Sequence, residues 1–279
     1  MPVLKKIPWL GGGSIFLFFI CSIFAPFITP YDPVMQDLSE VLVPPFWLEG
    51  GSTSHILGTD MMGRDIMSRI IYGARISLVV AFSAVLLSSF FGTCLGLISG
   101  YMGGRVDTFI MGLTDTMLSM PYVLLAIAII GVLGPKLENI IIVFAITNWV
   151  GYTRLVRGEV LSIKEREFID LAVIGSCSTI RILLVHILPN VANAIIVLCT
   201  LDIGKTVIFE AAMSYLGLGV PPTTPSWGSM LADGRIYLTH AWWLATFPGF
   251  AILFTVLGAN LLGDWLRDFL DPKQKVKMR

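Results

Sequence analysis

Six apolar stretches, each reaching or approaching the length that crosses a lipid bilayer, decide what this chain can fold into. A membrane-spanning helix needs about 20 apolar residues. Lipid offers no hydrogen-bond partners to a backbone, and the stretches lack the alternation of barrel strands, so each is predicted to be a helix. They are Ile7–Ile28, Ile76–Ile98, Phe109–Leu133, Ile140–Val156, Ile187–Val207 and Trp242–Leu262. The predicted fold class is therefore an all-α integral membrane protein with six transmembrane helices.

Composition narrows the classes of function. Of the 279 residues, 55% are hydrophobic and 14% are charged, and the mean hydropathy is +0.81, which is too apolar for a soluble domain of average composition. The 19 basic residues match the 19 acidic ones, so no overall basic field favours nucleic-acid binding. The four cysteines show no C-x-x-C spacing, and neither G-x-S-x-G nor H-E-x-x-H occurs. We therefore predict no metal site and no catalytic residue.

The placement of Lys and Arg orients the predicted spans. With a cytoplasmic N-terminus, 13 of the 19 Lys and Arg residues fall in inside segments, and cytoplasmic segments carry the basic excess. Both termini are thus predicted to be cytoplasmic. The predicted organisation is a first transmembrane helix (residues 1–30), an external loop (31–75), a core of five transmembrane helices (76–266) and a cytoplasmic tail (267–279).

A charged segment between two apolar stretches, Lys164–Asn190, lies in the cytoplasm in this topology. Its charges are followed by apolar residues at mixed helical spacing, which predicts a short helix at the membrane surface that offers small and apolar residues to a partner. Gly175 and Ser176 predict a turn, with a second apolar helix from about Ile180. We place the functional segment at residues 158–186; an ordinary amphipathic connector is the alternative interpretation.

Two predicted external stretches carry further patterns. In the first, HILGTDMMGRD begins at His55. There Gly58 and Gly63 favour tight turns, Asp60 is predicted to cap the next helix, and Arg64 is predicted to pair with Asp65. A loop folded only for its own stability is as good an interpretation as a gate or a protein contact.

The second external stretch covers residues 210–240 and contains EAAMSYLGLG from Glu210 and PSWGSML from Pro225. Tyr215 and Trp227 are interpreted as substrate contacts or, with more support, as anchors at the membrane interface.

Inside the predicted spans, Asp115 is unusual because an acid there is costly. It is interpreted as a pore residue or as a packing residue reached by water or by Arg105. Pro121 in the same stretch predicts a kink, and Gly92 and Gly96 in the preceding stretch predict close helix packing.

Together these motifs resemble the type I ABC importer permeases. The cytoplasmic segment resembles their "EAA" coupling loop, and RILLVHILPN, from Arg181, is similar to the R-I-x-x-x-H-I-L-P-N tail of the C-type permease subunit of dipeptide and oligopeptide importers. The external stretches resemble the H-x-L-G-T-D-x-x-G-R-D, E-A-x-L-S-F-L-G-L-G and P-S-W-G-x-M-L signatures of the same subunits. Aligned on Phe168 and Pro189, the family's Glu-Ala-Ala falls on Asp170, Leu171 and Ala172, and its Gly falls on Ser176, with Gly175 one place early.

The resemblance implies the type I permease fold and the function of a permease subunit in an ATP-driven, binding-protein-dependent importer of dipeptides, oligopeptides or similar small solutes. Such a subunit is not itself an enzyme. The same machinery importing nickel chelates, opines or glutathione is an alternative. An ion-coupled secondary transporter is a less favoured class, because intramembrane charges are few and no internal repeat is evident.

The resemblance also implies the partners and the site residues. The partners are a homologous second permease, two ATP-binding subunits that carry ATP and Mg, an extracytoplasmic substrate-binding protein and membrane lipid, in a bacterial or archaeal cytoplasmic membrane; no cofactor is expected in this chain. The residues implied in coupling to the ATPase are Glu167, Phe168, Asp170, Leu171, Ala172, Gly175, Ser176, Arg181, His186 and Pro189. Those implied at the external face are Gly58, Asp60, Gly63, Arg64, Asp65, Glu210, Tyr215 and Trp227.

Overall fold

The computed structural model of the chain describes residues 9–221 and 223–270. In these ranges the regular elements are helices, with one isolated β-bridge between Thr59 and Asp65. A π-helical turn, Ile182–Ile187, precedes α8, and a 3-10 turn, Arg235–Tyr237, follows α9. The helices are α1 (Trp9–Ile28), α2 (Ile66–Met102), α3 (Gly104–Ser119), α4 (Tyr122–Leu133), α5 (Leu137–Lys164), α6 (Glu167–Ile174), α7 (Thr179–Arg181), α8 (Leu188–Tyr215), α9 (Trp227–Gly234) and α10 (Trp243–Leu270). The predicted all-α class is confirmed.

Most of the predicted spans are present. Within the described ranges, four helical stretches are long and apolar enough to cross a membrane: Ile66–Met102, Leu137–Lys164, Thr179–Tyr215 and Trp243–Leu270. Helices α3 and α4 are together long and apolar enough for a fifth span, with a sharp bend between them. The predicted first span begins outside the described residues, and the apolar part of α1, Ile15–Ile28, is a shorter helix. A sixth span therefore stays a prediction, and most of the predicted tail, residues 267–279, lies outside the description.

Helix α2 begins at Ile66, before the apolar run from which it was predicted. Asp65 provides its N-terminal cap, because its Oδ2 accepts a hydrogen bond from the backbone N–H of Ser68 at 2.7 Å. The expectation that Asp60 caps this helix was wrong. Polar residues of the first turns, among them Arg69, hid the helix from a search for apolar runs.

The third predicted span is broken more sharply than a kinked helix would be. Helices α3 and α4 meet at an angle of 88°. Met120, the residue before Pro121, is extended, with φ −97° and ψ 133°. A proline excludes the helical conformation from the residue before it, so the break falls where the predicted kink was placed.

The described residues group into two compact units. The first contains the residues up to Ser83 together with Ile127–Ile141 and Ile203–Leu262. The second contains Ala84–Ala126, Ile142–Asp202 and the residues from Gly263 onward. The long helices α2 and α8 thus contribute residues to both units.

The core of the first unit is formed around two tryptophans. Trp227 is fully buried among Ala74, Ala81, Val207 and Ala251. Trp243 packs in a second cluster whose other buried members are Ile66, Met230, Ala241 and Leu244. Its indole N–H donates to the carbonyl oxygen of Thr59 at 3.2 Å, which ties the start of α10 to the loop before α2.

In the second unit, α2 and α5 pack closely through glycines, as predicted. A Cβ atom added to Gly92 would lie 2.5 Å from the Cβ of Tyr152, and one added to Gly96 would lie 2.7 Å from the Cβ of Val156. The hydroxyl of Thr153 donates to the carbonyl oxygen of Gly92 at 3.1 Å across the same contact. Such close backbone approach is typical of small-residue packing between membrane helices.

Candidate functional site

The predicted coupling segment contains the expected short helix, α6, in the second unit. Ile169 holds it against the core, since its side chain is buried in a cluster with Val160, Ile163, Ile182 and Ile187. These partners come from α5 and from the π-helical turn. Ile169 is the buried side chain of this eight-residue helix, and it packs the helix against the ends of two spans.

The rest of α6 faces outward and is largely apolar. Leu171 is 66% exposed and Ile174 is 78% exposed, and Phe168 is partly exposed beside them. Glu167 and Asp170 are also exposed, in the first turn, where acidic side chains favour the helix dipole. An apolar surface of this kind is a mark of an interaction site.

Ala172 differs from its neighbours. It packs partly buried against the core of the second unit. A bulky residue here would therefore disturb the packing of α6 as well as its outer face. Asp170 and Leu171, the first two of the aligned Glu-Ala-Ala positions, are exposed.

The turn after α6 has its left-handed residue where the family pattern has glycine. Ser176 adopts φ +56°, whereas Gly175 has an ordinary φ of −73°. The backbone N–H of Cys177 donates to the carbonyl oxygen of Ala172 at 3.0 Å and closes the helix end. The predicted turn is confirmed, with a serine in a conformation that normally favours glycine.

The tail motif continues the segment into α8. Ser178 caps α7, and Arg181 at its end is exposed. His186 lies half-buried in the π-helical turn, where its carbonyl oxygen accepts a hydrogen bond from the Asn190 side chain at 2.6 Å. Pro189 is exposed in the first turn of α8, directly after the π-helical turn, and as a proline it has no backbone N–H to donate to the residues before it.

In the first unit, the predicted external signature forms a buried charge network. Arg64 pairs with Asp60, its Nε lying 2.6 Å from Oδ2, and its Nη2 lies 3.5 Å from the carboxylate of Asp233. Arg69, which is 2% exposed, approaches the same two acids at 3.6 and 3.8 Å. The predicted pair of Arg64 with Asp65 is wrong. Burial raises the pKa of the Asp233 carboxyl, although Arg69 and Arg64 lower it.

Asp65 pairs instead with His55. The His55 Nδ1 lies 2.9 Å from Asp65 Oδ1, and its Nε2 lies 2.6 Å from Glu40 Oε2. The ring also stacks on Tyr31, with centroids 4.7 Å apart. Burial lowers the pKa of His55, but the hydrogen bonds and negative charges of Asp65 and Glu40 outweigh it and raise that pKa above its ordinary value.

The two signature glycines lie in tight turns, as predicted. Gly58 has φ +84° and Gly63 has φ +72°. A Cβ at Gly63 would lie 1.8 Å from the carbonyl oxygen of Asp37. The loop therefore packs on itself too closely for any larger residue there.

Glu210 is buried in the first unit. Its carboxylate accepts hydrogen bonds from Ser77 at 2.9 Å and from Ser214 at 2.8 Å. These bonds join α8 to α2. The first residue of the second external signature is thus a packing residue between helices in this conformation.

Trp227 and Tyr215 have different surroundings. Trp227 is fully buried, so its ring faces neither substrate nor lipid in this structure. Tyr215 is partly exposed, and the guanidinium of Arg235 lies 5.0 Å from its ring centroid. Tyr215 and Arg235 line a cavity of about 460 Å³, together with residues that include Gly219 and Asp233, and Trp227 is not part of that lining.

Asp115 makes an ion pair with Arg154 of α5, and the expected approach of Arg105 is not the contact that forms. A second pair joins the same helices, with Arg157 Nε 2.5 Å from Asp107 Oδ1. The two arginines lie 39 and 50 positions along the chain from their acidic partners, and no local sequence pattern reveals such contacts.

Several helices of spanning length and an exposed short helix between two of them are the features of a multi-pass membrane protein. Residues 92–276 match the family described as the binding-protein-dependent transport system inner membrane component. Residues 5–45 match the N-terminal transmembrane domain of oligopeptide transport permease C. The chain belongs to this family of ABC importer permeases, and the resemblance stated from its motifs is confirmed.

Individual relatives agree. The chain is 45% identical to the di/tripeptide transport system permease protein DppC of Pseudomonas aeruginosa, over 95% of this chain and 88% of that protein. It is 44% identical to the dipeptide transport system permease protein DppC of Haemophilus influenzae, over 94% of this chain and 90% of that protein. It is 46% identical to the protein of the same name from Alkalihalophilus pseudofirmus, over 97% of this chain and 87% of that protein. The protein is thus a multi-pass membrane permease subunit of a binding-protein-dependent transporter.

Proposed function

We propose that this permease imports dipeptides, oligopeptides or similar small solutes, and that α6 is the element through which separate ATPase subunits drive it. The names of the relatives and the four motifs support the solute class. Nickel chelates, opines and glutathione stay alternatives for the same machinery. The observation that carries the coupling role is the exposed apolar face of a helix whose buried side chain, Ile169, packs it against the core.

That face suits a protein partner. Leu171 and Ile174 leave apolar surface in water unless something covers it, and covering a leucine or isoleucine side chain contributes roughly 1.5–3 kcal/mol. The exposed acid Asp170 beside them supplies charge at the edge of the contact. A groove on an ATPase subunit with an apolar floor and a basic rim fits this surface.

The assembly we propose contains a homologous second permease, two ATP-binding subunits, an extracytoplasmic substrate-binding protein and surrounding lipid, and no nucleic acid. The number of predicted spans in one chain supports the second permease, because six helices make half of a twelve-helix pore. The external signatures and the cavity beside Tyr215 are proposed to face the binding protein.

We propose that the membrane is the cytoplasmic membrane of a bacterium or archaeon and that both termini lie inside. The basic excess of the proposed inside segments supports this orientation. It places α6 in the cytoplasm, where ATP is available, and the Asp60 network outside.

This chain is proposed to carry no catalytic residue and no cofactor of its own, with ATP and Mg held by its partners. Among the described residues, no group of three or more His, Cys, Asp or Glu side chains is placed to hold a metal ion. In this proposal the energy for transport comes from ATP hydrolysis by the partner subunits and reaches this chain through their contact with α6.

The mechanism that follows is alternating access. Closure of the two ATPases on ATP would displace the docked α6, and Ile169 would pass the displacement to the core around Ile182 and Ile187. The pore state that binds ATP-loaded ATPases more tightly is then the favoured one. Domain closure of this kind is a common way to gate a site.

The test replaces Leu171→Asp in the assembled transporter. We expect ATPase subunits to co-purify poorly and ATP-driven uptake to fall at least tenfold, with normal insertion in the membrane. Leu171→Met keeps an apolar side chain of similar volume and should behave as the parent. Normal uptake and co-purification by Leu171→Asp would show that α6 is not the contact.

An ion-coupled transporter is distinguished by its energy source. When ATP hydrolysis is blocked and ion gradients are kept, uptake by an ATP-driven importer stops. Uptake that continues at the parental rate would replace this proposal with the ion-coupled class.

A further inference from the structure

The ion pair of Asp115 with Arg154 is exposed although it belongs to helices of a membrane domain. The side chains are 65% and 49% exposed. The neighbouring pair of Asp107 with Arg157 is only 20% and 30% exposed, and Asp107 also accepts a hydrogen bond from Ser99 at 2.5 Å. The pair of Asp107 with Arg157 is therefore part of the helix packing, whereas the pair of Asp115 with Arg154 is accessible from outside the second unit.

The open pair lies inside the apolar stretches predicted to span the membrane, toward their cytoplasmic ends. Asp115 is about 9 Å from the start of the stretch Phe109–Leu133, since an α-helix rises about 1.5 Å per residue. Arg154 is about 3 Å from the end of the stretch Ile140–Val156 on the same basis.

Lipid is a poor neighbour for this face. An exposed charge within a span costs several kcal/mol in hydrocarbon, so such charges face a bundle interior or water. Beside the pair, Thr116 is exposed on α3, and the added Cβ of Gly151 on α5 would meet nothing within 4 Å. On α2 of the same unit, by contrast, the exposed side chains include Leu86 and Phe90, which suit lipid.

We propose that the Asp115–Arg154 pair lines the aqueous path through the permease and binds the two ends of a zwitterionic solute, such as a short peptide, as it passes. The Asp115 carboxylate takes the ammonium end, and the Arg154 guanidinium takes the carboxylate end. This deepens the proposed import of peptides and rests on it.

The energetics suit a transient site. An ion pair exposed to water contributes only about 0–1 kcal/mol, so exchanging it for the two charges of a solute costs little. The guanidinium can hold a carboxylate through two parallel hydrogen bonds. Conduction needs binding that is favourable enough for entry and weak enough for release.

The experiment uses the Thr116→Cys variant, in which the four native cysteines are also replaced, as part of the assembled transporter in proteoliposomes. The new cysteine is treated with a water-soluble, membrane-impermeant thiol reagent. Phe90→Cys is the control expected to face lipid. We expect Thr116→Cys to react, and a saturating dipeptide, supplied with binding protein and ATP, to slow that reaction at least threefold. Phe90→Cys should react at least tenfold more slowly in both conditions.

Charge removal gives a second readout. Asp115→Asn and Arg154→Gln should each lower the maximal uptake rate of a dipeptide several-fold, while the affinity of the assembly for loaded binding protein and the co-purification of ATPase subunits stay unchanged. A Thr116→Cys variant that does not react, or that reacts equally with and without peptide, would overturn the proposal. Because ATPase co-purification is measured in the same samples, that result would leave the proposed import function standing.

Discussion

The indole N–H of Trp227 donates a hydrogen bond to the carbonyl oxygen of Ile70, 2.9 Å away, across 157 positions of sequence. The bond joins the start of α9 to α2 within the first unit. The ring is also in edge-on contact with Phe18, with centroids 5.2 Å apart. Trp227 thus holds three separate parts of the chain together.

Replacing Trp227→Phe should destabilise the protein by removing this hydrogen bond and part of the ring. We expect a loss of about 1–3 kcal/mol in the free energy of unfolding, measured as a lower midpoint of thermal unfolding in detergent. Trp242→Phe, at a partly exposed tryptophan, should shift the midpoint far less. Equal shifts for the two variants would contradict the role given to Trp227.

Gly92→Ala should weaken the contact of α2 with α5. The new Cβ would lie 2.5 Å from both the carbonyl oxygen of Trp149 and the Cβ of Tyr152, so the helices must separate, at a cost of about 1–3 kcal/mol. Gly131→Ala in α4 is the matched control, because its Cβ would meet nothing within 4 Å. Thermal unfolding of both variants checks the prediction, which fails if Gly92→Ala unfolds at the parental temperature.

Ser176→Gly should stabilise the turn after α6. A left-handed residue other than glycine costs roughly 1–2 kcal/mol, and part of that is offset by the greater freedom of glycine in the unfolded chain. We expect a net gain of up to about 1 kcal/mol with uptake retained. Ser176→Val should act in the opposite direction, because a β-branched residue disfavours this conformation. The midpoint of thermal unfolding is measured for both variants. A shift in the same direction for Ser176→Gly and Ser176→Val would contradict the prediction.

The stability of the predicted external loop should depend on the charge of His55. Its pKa is raised above the ordinary value of 6.5, so protonated His55 stabilises the folded state. That contribution is fully present below pH 6.5 and is lost as the pH rises through the raised pKa. The groups that face the ring are Glu40, Asp65 and Tyr31, and Asp37 also interacts with its charge.

The midpoint of thermal unfolding, measured at a series of pH values from about 5.5 to about 9, tests this dependence, because that interval covers the titration of histidine. His55→Gln should remove the part of the decline that belongs to this residue. His240→Gln, at an exposed histidine, should keep it. An unchanged decline in His55→Gln would assign the pH dependence to other groups.

The spans could be predicted from sequence because a bilayer imposes one strong requirement, a long apolar helix. The break at Pro121 and the close packing at Gly92 follow from local rules of the same kind. The start of α2 could not be predicted this way. Arg69 is buried there, and its charge is compensated by acids that include Asp233, which is distant in sequence. Because such a partner is found only in the tertiary structure, the charge of Arg69 marked a false end to the apolar run.

Other site residues show the same limit. Trp227 was interpreted by its residue type, whereas its burial depends on α2 and α8 packing around it. Asp115 was noticed because acids are rare in spans, but its partner Arg154 could not be found locally. The short helix α6 and its turn were predictable, since a change from charged to apolar spacing and a Gly-Ser pair mark them directly.

The central claim, that α6 is where an ATPase subunit drives the permease, is tested most directly by proximity. A photo-crosslinking residue in place of Leu171 in the assembled transporter should form a crosslink to the ATP-binding subunit, with a yield that changes between ATP-bound and nucleotide-free states. The same residue in place of Phe90, which is 64% exposed on α2, should form none to that subunit. Crosslinks from position 171 to lipid alone, or none in any nucleotide state, would contradict the account.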